Sequence, residues 1–264
     1  MTGFTKAHAC GNDFLIVEGE ADAALAVRLC ARNTGVGADG VEFVEWTGER
    51  SAAIRLVNAD GSVAEISGNG TRCVAAWMAR RKGLKAGDTV LIETDAGPRE
   101  CRVVKADGNR FEFAQGMGVP AIADKVVKLA GGTEVAGVAV STGNPHFVIF
   151  VDRAEFEKHG RGWQELGREM CFHPDFPEQT NVEFVRVLDT NSIEIRIFER
   201  GVGPTTSSGT GTCATAAASI ARRKLSAHLC VKAPGGEQIV DWGGEGAEIL
   251  LTGPAELIAS GEAW

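Results

Sequence analysis

The chain has 264 residues, of which 44% are hydrophobic and 23% are charged, which suits one large globular domain or two of ordinary size. The formal net charge is −8 and the Lys and Arg residues form no block, so nucleic acid and anionic membranes are not expected as partners. The N-terminal residues lack a signal-peptide pattern, and no apolar run approaches the roughly 18 residues that span a bilayer.

The first half of the chain is predicted to be mostly β-structure. Short runs of β-branched and aromatic residues favour strands, and an Ala-rich stretch that ends in two arginines favours a helix. A strand is also expected directly after Gly11-Asn12. In chain order, the remaining predictions are a peripheral helix at 22–31, strands at 41–46 and 53–57, a helix at 73–81, and strands at 89–94 and 100–104.

The second half repeats this order of predicted elements. It also begins with Gly-Asn, at Gly143-Asn144, and a strand is expected to follow. An Ala-rich helix again precedes several short strands. In chain order, the predictions are a peripheral helix at 154–170, strands at 182–187 and 193–198, a helix at 213–223, and strands at 229–232, 238–241, 248–251 and 256–260.

A gap-free internal repeat supports the similarity of the two halves. Residues 38–71 align with residues 179–212 at an offset of 141, with eleven of 34 positions identical. The segment at 11–17 also resembles the segment at 143–149, with one inserted residue. The fold class is therefore predicted to be α+β, with two pseudosymmetric domains that are each mostly β around a long central helix.

The domain boundary is expected where Gly-Met-Gly-Val-Pro at 116–120 interrupts the pattern of elements. The last predicted strand, 256–260, is expected to return to the first domain. We therefore predict an N-terminal domain of residues 1–117 with 256–264, and a C-terminal domain of residues 118–255.

Each half presents Ser-Gly-x-Gly-Thr at the start of its Ala-rich helix, with Ser67 and Ser208 in the same position. Free backbone N–H groups and the positive end of the helix dipole bind anions at such a turn. A single turn of this kind is weak evidence, because glycine there can serve close packing alone. Two copies that face one cleft would hold a carboxylate from both sides, so an active site is predicted in the interdomain cleft.

Several other kinds of site are disfavoured. The seven cysteines are odd in number and form no C-x-x-C pair, which argues against a disulfide framework or zinc knuckle and fits a reducing cytoplasm. The five histidines show no metal-ligand spacing, so no metal is predicted. The glycine-rich stretch at 35–40 precedes a strand rather than following one, so it fails as a dinucleotide-binding loop.

Eight short motifs, most of them rich in glycine, follow one another along nearly the whole chain. They are Gly11-Asn12-Asp13-Phe14, Gly35-Val36-Gly37-Ala38-Asp39-Gly40, Asn58-Ala59-Asp60-Gly61-Ser62, Gly68-Asn69-Gly70-Thr71-Arg72-Cys73, Gly143-Asn144-Pro145-His146, Thr180-Asn181-Val182-Glu183-Phe184, Glu199-Arg200-Gly201 and Gly209-Thr210-Gly211. In type and order they resemble the motifs of the diaminopimelate epimerases. This resemblance is very specific for the family, but less specific for one substrate.

This resemblance implies inversion of configuration at an amino-acid α-carbon without pyridoxal phosphate or any other cofactor. One group removes the α-proton from one face while a second group delivers a proton to the other face. The implied substrate is 2,6-diaminopimelate, converted from the LL to the meso form in lysine and peptidoglycan biosynthesis. Arg200 is expected to bind the distal carboxylate. The substrate-binding positions implied by the resemblance are Asn12, Asn58, Gly68, Asn69, Asn144, Asn181, Glu199, Arg200, Gly209 and Thr210.

The sequence departs from the family at the two positions that carry the proton chemistry. The family has a cysteine immediately before each Gly-rich turn, and this chain has Ser67 and Ser208. A thiol at a helix N-terminus ionises near neutral pH, whereas a serine hydroxyl keeps its proton unless a separate base takes it. Cys73 and Cys213 lie five or six residues further on and cannot replace the missing thiols without breaking the glycine match.

Three explanations of the serines follow. The chain carries deliberate Cys→Ser changes, or it is a natural relative whose serines serve another isomerisation or a dehydration, or it is a binding protein derived from the enzyme. Other amino acids, such as histidine or hydroxyproline, are alternative substrates. The expected partner is a small amino acid, a homodimer is compatible with the sequence, and the expected location is the cytoplasm.

Overall fold

A computed structural model describes residues 1–64 and 67–264. The chain forms two compact units. Unit 1 comprises Met1–Gln115 together with Thr252–Trp264, and unit 2 comprises Gly116–Leu251. Within the described ranges, no helix is both long and apolar enough to cross a membrane.

Unit 1 is built from strands and two helices. Its elements are β1 (Thr2–Ala9), β2 (Asn12–Glu18), α1 (Ala23–Cys30), β3 (Gly40–Trp46), β4 (Ser51–Asn58), β5 (Val63–Ala64), α2 (Gly68–Lys82), β6 (Thr89–Thr94), β7 (Gly97–Asp107) and β8 (Arg110–Gly116). The last strand of the chain, β17 (Ile249–Ala263), completes this unit by pairing with β1 and β8. The pairs β2–β3 and β4–β6 are parallel, while β1–β2, β3–β4, β6–β7 and β7–β8 are antiparallel. These pairings close the sheet of unit 1 into a ring of strands.

Helix α2 packs against the apolar face of these strands. Eleven of its fifteen residues are buried, and seven of these, Cys73 to Ala79, share one hydrophobic cluster with side chains from β1, β2, β4 and β7. The helix begins after Ser67, whose extended backbone and side chain cap the first turn. Its last turn carries Arg80, Arg81 and Lys82, which suit the negative end of the helix dipole. Gly83 ends the helix at φ 63°, in the left-handed region that glycine adopts without strain.

Unit 2 repeats this arrangement. Its elements are β9 (Ala121–Lys128), β10 (Glu134–Ser141), β11 (Pro145–Phe150), α3 (Trp163–Cys171), β12 (Asn181–Asp189), β13 (Ser192–Glu199), β14 (Gly203–Thr205), α4 (Gly209–Arg223), β15 (His228–Ala233) and β16 (Gly236–Trp242). The pairs β11–β12 and β13–β15 are parallel, as are their counterparts β2–β3 and β4–β6. Ten of the fifteen residues of α4 are buried. The predicted α+β class with two pseudosymmetric domains is confirmed.

Strand register aligns the two halves more closely than the sequence comparison does. Phe14 on β2 pairs with Gly40, and His146 on β11 pairs with Asn181. Since Gly40 and Asn181 are matched by the repeat, Phe14 and His146 are matched too, and the segments at 11–17 and 143–149 align without the predicted insertion.

Two local predictions were wrong. The helix predicted at 154–170 is only α3, Trp163–Cys171. Phe156, His159 and Gly160 have positive φ values, which a right-handed helix does not allow. The strands predicted at 248–251 and 256–260 are one continuous strand, β17, although Gly253 and Pro254 lie between them.

Candidate active site

Ser67 and Ser208 stand at the N-termini of the two long helices. The Oγ of Ser67 accepts a hydrogen bond from the Gly70 N–H at 3.1 Å, and the Oγ of Ser208 accepts one from the Gly211 N–H at 3.3 Å. Both serines have extended backbones and are partly buried. Each hydroxyl oxygen therefore satisfies a helix N–H group and leaves its proton available for another acceptor.

A buried glutamate lies beneath each turn. A β-carbon at position 70 would collide with the Glu42 carboxyl. A β-carbon at position 211 would lie 2.8 Å from the Glu183 carboxyl and 3.2 Å from the Ser208 Oγ. Glycine is therefore required at both positions, because the carboxyl occupies the space of a larger side chain.

Glu42 and Glu183 are matched by the repeat and are both wholly buried. Glu42 pairs across the sheet with Ile16 and Leu56, which belong to the hydrophobic cluster under α2. Neither glutamate was predicted as a functional residue. One signal was present in the sequence: a charged residue stands at the same place in both copies of an otherwise apolar strand, Val-Glu-Phe-Val.

In unit 2 the buried carboxyl has a histidine partner. The Glu183 Oε1 lies 2.7 Å from His146 Nδ1, and both side chains are wholly buried. His146 Nε2 lies 2.9 Å from the Asn144 Oδ1, and Asn144 Nδ2 donates to Thr210 Oγ1 at 3.4 Å. A continuous chain of polar contacts thus links the buried carboxyl to the second residue of α4.

Glu199 provides a second carboxyl at the unit 2 turn. Burial, followed by the charge of Glu183, raises the pKa of Glu199, while hydrogen bonds from Thr205 and Ser208 oppose that shift. The Thr205 hydroxyl donates to Glu199 Oε1 at 3.0 Å. The Ser208 hydroxyl thus lies close enough to the Glu199 carboxyl to lower its pKa, and a serine oxygen can take up another proton only after a separate base has accepted its own.

In unit 1 the buried carboxyl has different surroundings. Neither oxygen of Glu42 has a hydrogen-bond partner among residues 1–64 and 67–264. Burial raises the pKa of Glu42 to about 8. The repeat and the strand register place Phe14 where unit 2 has His146, and Asn58 where unit 2 has Glu199. At neutral pH the Glu42 carboxyl is therefore mostly protonated, with a smaller fraction present as carboxylate.

A chain of amide contacts fixes the side chains beside the unit 1 turn. Asn69 Nδ2 donates to Asn12 Oδ1 at 3.2 Å, and Asn12 Nδ2 donates to Asp39 Oδ2 at 2.7 Å. Asp39 also pairs with Arg32. The structure therefore brings together Asn12 and Asn69, two of the residues that the family resemblance marked for substrate binding, and it holds Asn12 from two sides.

Three other residues from that set hold loops in place. Asn58 Nδ2 donates to Ser62 Oγ at 3.0 Å, which braces the turn after β4. Asn181 Oδ1 accepts the backbone N–H of Arg200 at 3.0 Å, and Arg200 Nη1 donates to the Glu178 carbonyl at 3.0 Å. The Arg200 side chain is exposed. Gly68 and Gly209 are the first residues of α2 and α4, so their backbone N–H groups have no acceptor within their own helices.

Comparison with known proteins places the chain in a family. The sequence profile described as diaminopimelate epimerase matches residues 4–122 and 138–258. The chain belongs to the diaminopimelate epimerase family. It is 38% identical over 281 residues to the diaminopimelate epimerase of Desulforudis audaxviator, with 98% of each chain covered.

Solved structures with low sequence identity share the fold. A phenazine biosynthesis protein of the PhzF family from Bacillus anthracis has a TM-score of 0.74 at 18% identity, with 100% of this chain and 99% of that chain covered. A hydroxyproline epimerase from Agrobacterium vitis, with bound trans-4-hydroxy-L-proline, has a TM-score of 0.69 at 16% identity, with 98% and 91% covered. At such identities the likeness concerns the fold alone.

The cysteines nearest the turns do not replace the thiols that the diaminopimelate epimerase family resemblance implies. Cys73 and Cys213 lie inside α2 and α4 and are wholly buried. Burial, the largest effect, raises the pKa of the Cys73 thiol. Cys73 therefore stays protonated in the apolar cluster, and the titratable groups beside Ser67 and Ser208 are carboxyls.

Proposed function

We propose that the protein is a cofactor-independent amino-acid epimerase that interconverts LL- and meso-2,6-diaminopimelate. Membership of the diaminopimelate epimerase family carries this proposal. The duplicated serine turns support it, because inversion needs two proton-transferring groups that act on opposite faces of one α-carbon. A single group can only return a proton to the face from which it came.

The helix N-termini are proposed to bind the α-carboxylate of the substrate. The free N–H groups of the first turn and the helix dipole favour an anion there. The residues proposed for this contact are Gly68 and Asn69 on α2, and Gly209 and Thr210 on α4. The exposed guanidinium of Arg200 is proposed to bind the distal carboxylate in a bidentate manner.

Ser208 and Ser67 are proposed to exchange protons with the α-carbon. At Ser208, the hydrogen-bonded Glu199 can accept the hydroxyl proton while the serine oxygen takes the α-proton. The electron pair of the broken C–H bond stays on the α-carbon, and a proton delivered by the other serine completes the inversion. The same steps in reverse convert the product back to the substrate.

Proton exchange with solvent tests the reaction class. LL- and meso-diaminopimelate are incubated with the protein in D₂O, and loss of the α-hydrogen signal is followed by ¹H NMR. We expect exchange from both isomers together with their interconversion. Removing both hydroxyls with Ser67→Ala/Ser208→Ala should lower the rate by at least about 10²-fold. Tight substrate binding with no exchange would instead indicate a binding protein.

A second comparison tests whether the serines occupy thiol positions. The double substitution Ser67→Cys/Ser208→Cys should accelerate exchange, because a thiol at a helix N-terminus ionises near neutral pH and a hydroxyl does not. If the double cysteine form exchanges no faster than the original chain, the serines belong to a different chemistry. Calorimetry with diaminopimelate, histidine and hydroxyproline then identifies the substrate, since preference for a monocarboxylate would exclude diaminopimelate.

A further inference from the structure

Ser67 differs from Ser208 in the acceptor available for its hydroxyl proton. The Ser208 hydroxyl has the Glu199 carboxyl as its partner. The repeat places Asn58 at the corresponding position of unit 1, and an amide does not accept a proton at neutral pH. Phe14, the counterpart of His146, offers no proton acceptor either. The Ser67 half of the proposed reaction therefore needs another group.

Glu42 is a wholly buried carboxyl that points at the Ser67 turn. The position that a β-carbon of residue 70 would occupy lies 3.3 Å from Ser67 Cβ and overlaps the Glu42 carboxyl. The side chain comes from β3 and reaches the first turn of α2 through an apolar cluster. A carboxyl buried with no hydrogen-bond partner within the described ranges costs stability. That cost suggests that the carboxyl is kept for its chemistry.

We propose that Glu42 accepts the hydroxyl proton of Ser67 while Ser67 takes the substrate α-proton, an inference that rests on the proposed function. Glu42 acts through Ser67 and is therefore a positioning residue rather than a group that touches the substrate. The step requires the Ser67 hydroxyl to turn toward the carboxyl. It begins with the Glu42 carboxylate and ends with a carboxylic acid, a regenerated Ser67 hydroxyl and a carbanion. In the opposite direction Glu42 returns the proton through Ser67.

The surroundings of Glu42 suit a group that changes protonation near neutral pH. Burial alone raises its pKa to about 8. Cys73 on α2 is a titratable neighbour, and burial raises its pKa, so its thiol stays uncharged. The wholly buried Arg72 precedes it on the same helix and is not among the causes of the raised Glu42 pKa. The strand neighbours Ile16 and Leu56 are apolar. A proton-transferring group works best with a pKa near the working pH, and this environment supplies one.

One-sided proton exchange is the decisive test. The α-hydrogen of LL- and meso-diaminopimelate is followed by ¹H NMR in D₂O with the unaltered protein, Glu42→Gln and Ser67→Ala. We expect Glu42→Gln to lower exchange from one isomer by about 10²-fold or more and to leave the other within about twofold. Ser67→Ala should affect the same isomer. Calorimetry should give unchanged substrate binding for Glu42→Gln, which separates proton transfer from a general loss of structure.

Two control variants test whether the loss of exchange comes from the Glu42 carboxyl itself or from a change in the structure around it. Glu42→Leu places an apolar side chain in the apolar cluster, so the variant protein should melt at a higher temperature than the unaltered protein. It should still lose α-hydrogen exchange from the same isomer as Glu42→Gln. Glu65→Gln removes the carboxyl that lies two residues before Ser67 in the sequence and should leave exchange from both isomers unchanged. Infrared spectra should show a carboxylic-acid band that disappears as the pH rises through about 8 and that is absent from Glu42→Gln.

Three outcomes would overturn the inference about Glu42 and leave the proposed function standing. Glu42→Gln could slow exchange from both isomers equally, or Glu42→Gln could retain full exchange from both isomers. In the third outcome, Glu65→Gln would cause the one-sided loss in place of Glu42→Gln. If the unaltered protein exchanges neither isomer, the proposed function falls, and the role of Glu42 in it falls as well.

Discussion

The turn before α2 and the turn before α4 have the same backbone and different chemistry. Both have a serine cap, a required glycine three residues later and a wholly buried glutamate beneath that glycine. In unit 2 that glutamate contacts His146, and the serine contacts Glu199. In unit 1 the matching positions are Phe14 and Asn58, and Glu42 has no partner within the described residues.

This difference shows how two duplicated turns can take different parts in one reaction. An inversion needs one proton acceptor and one proton donor at the same time. Different surroundings give two related carboxyl sites different proton affinities. The shared backbone keeps the serine cap and the glycine of each turn, and the neighbours of the buried glutamate differ between the two turns.

The largest effect is expected from Glu199→Asn, which gives unit 2 the residue that unit 1 has at position 58. Ser208 then loses the proposed acceptor of its proton, and the rate of α-hydrogen exchange on its side should fall by about 10²–10⁴-fold. Initial rates with each isomer of diaminopimelate measure this. Glu194→Gln is a matched control on the same strand, where Glu194 pairs with Arg186 and Arg196. An equal loss in the control would exclude a specific role for Glu199.

Arg200→Ala gives unit 2 the residue that unit 1 has at the matching position, which is Ala59. If Arg200 binds the distal carboxylate in a desolvated pair, the substitution should weaken diaminopimelate binding by about 2–5 kcal/mol. Titration calorimetry provides the measurement. Arg168→Ala, on the peripheral helix α3, removes the same charge elsewhere and should leave the affinity unchanged. A negligible effect of Arg200→Ala would place the guanidinium outside the binding site.

His146→Phe gives unit 2 the unit 1 residue beside its buried glutamate. Glu183 would be left without its histidine, and the free energy of unfolding should fall by about 3 kcal/mol. Urea denaturation measures the change. The double substitution His146→Phe/Glu183→Leu removes the stranded carboxyl and should recover most of the loss. A double variant that is no more stable than His146→Phe would show that packing of the histidine ring, rather than its contact with Glu183, accounts for the loss.

Glu42→Leu removes a carboxyl that has no hydrogen-bond partner among the described residues and should stabilise the protein by about 1–3 kcal/mol at neutral pH. The pKa of Glu42 rises from an ordinary 4.5 to about 8 in the folded protein, so between these values the folded state holds a proton that the unfolded chain releases. The contribution of Glu42 to stability therefore falls as the pH rises through this window. Urea titrations from acidic to alkaline pH should show this fall in the unaltered protein but not in Glu42→Leu. Equal slopes would show that Glu42 does not titrate there.

Much of the fold was accessible from local patterns. The strand predicted at 89–94 is observed as Thr89–Thr94, and the helix predicted at 22–31 is observed as Ala23–Cys30 with Asp22 as its cap. Periodicity and capping residues act over a few neighbours, so the sequence displays them directly. The shortened α3 was missed because the local composition of residues 154–162 did not reveal a loop with several positive φ values.

The differences between the two turns could not be predicted from local sequence patterns. His146 and Glu183 are 37 residues apart, and their contact depends on the parallel pairing of β11 and β12. Glu42 has no hydrogen-bond partner among the described residues because apolar side chains from several strands surround it. That environment is a property of the folded unit and is not visible in the local sequence. The repeat placed Ser67 and Ser208 in equivalent positions, and only the three-dimensional contacts revealed that their neighbours are unlike.

Strand β17 has a consequence for the order in which the protein can form on the ribosome. Every residue of unit 2 precedes Thr252 in the chain, whereas unit 1 needs Thr252–Trp264 to cover the edges of β1 and β8. During synthesis the second unit can therefore be completed before the first. Until then the nascent first unit carries two open strand edges, which are sites of unwanted pairing with other chains.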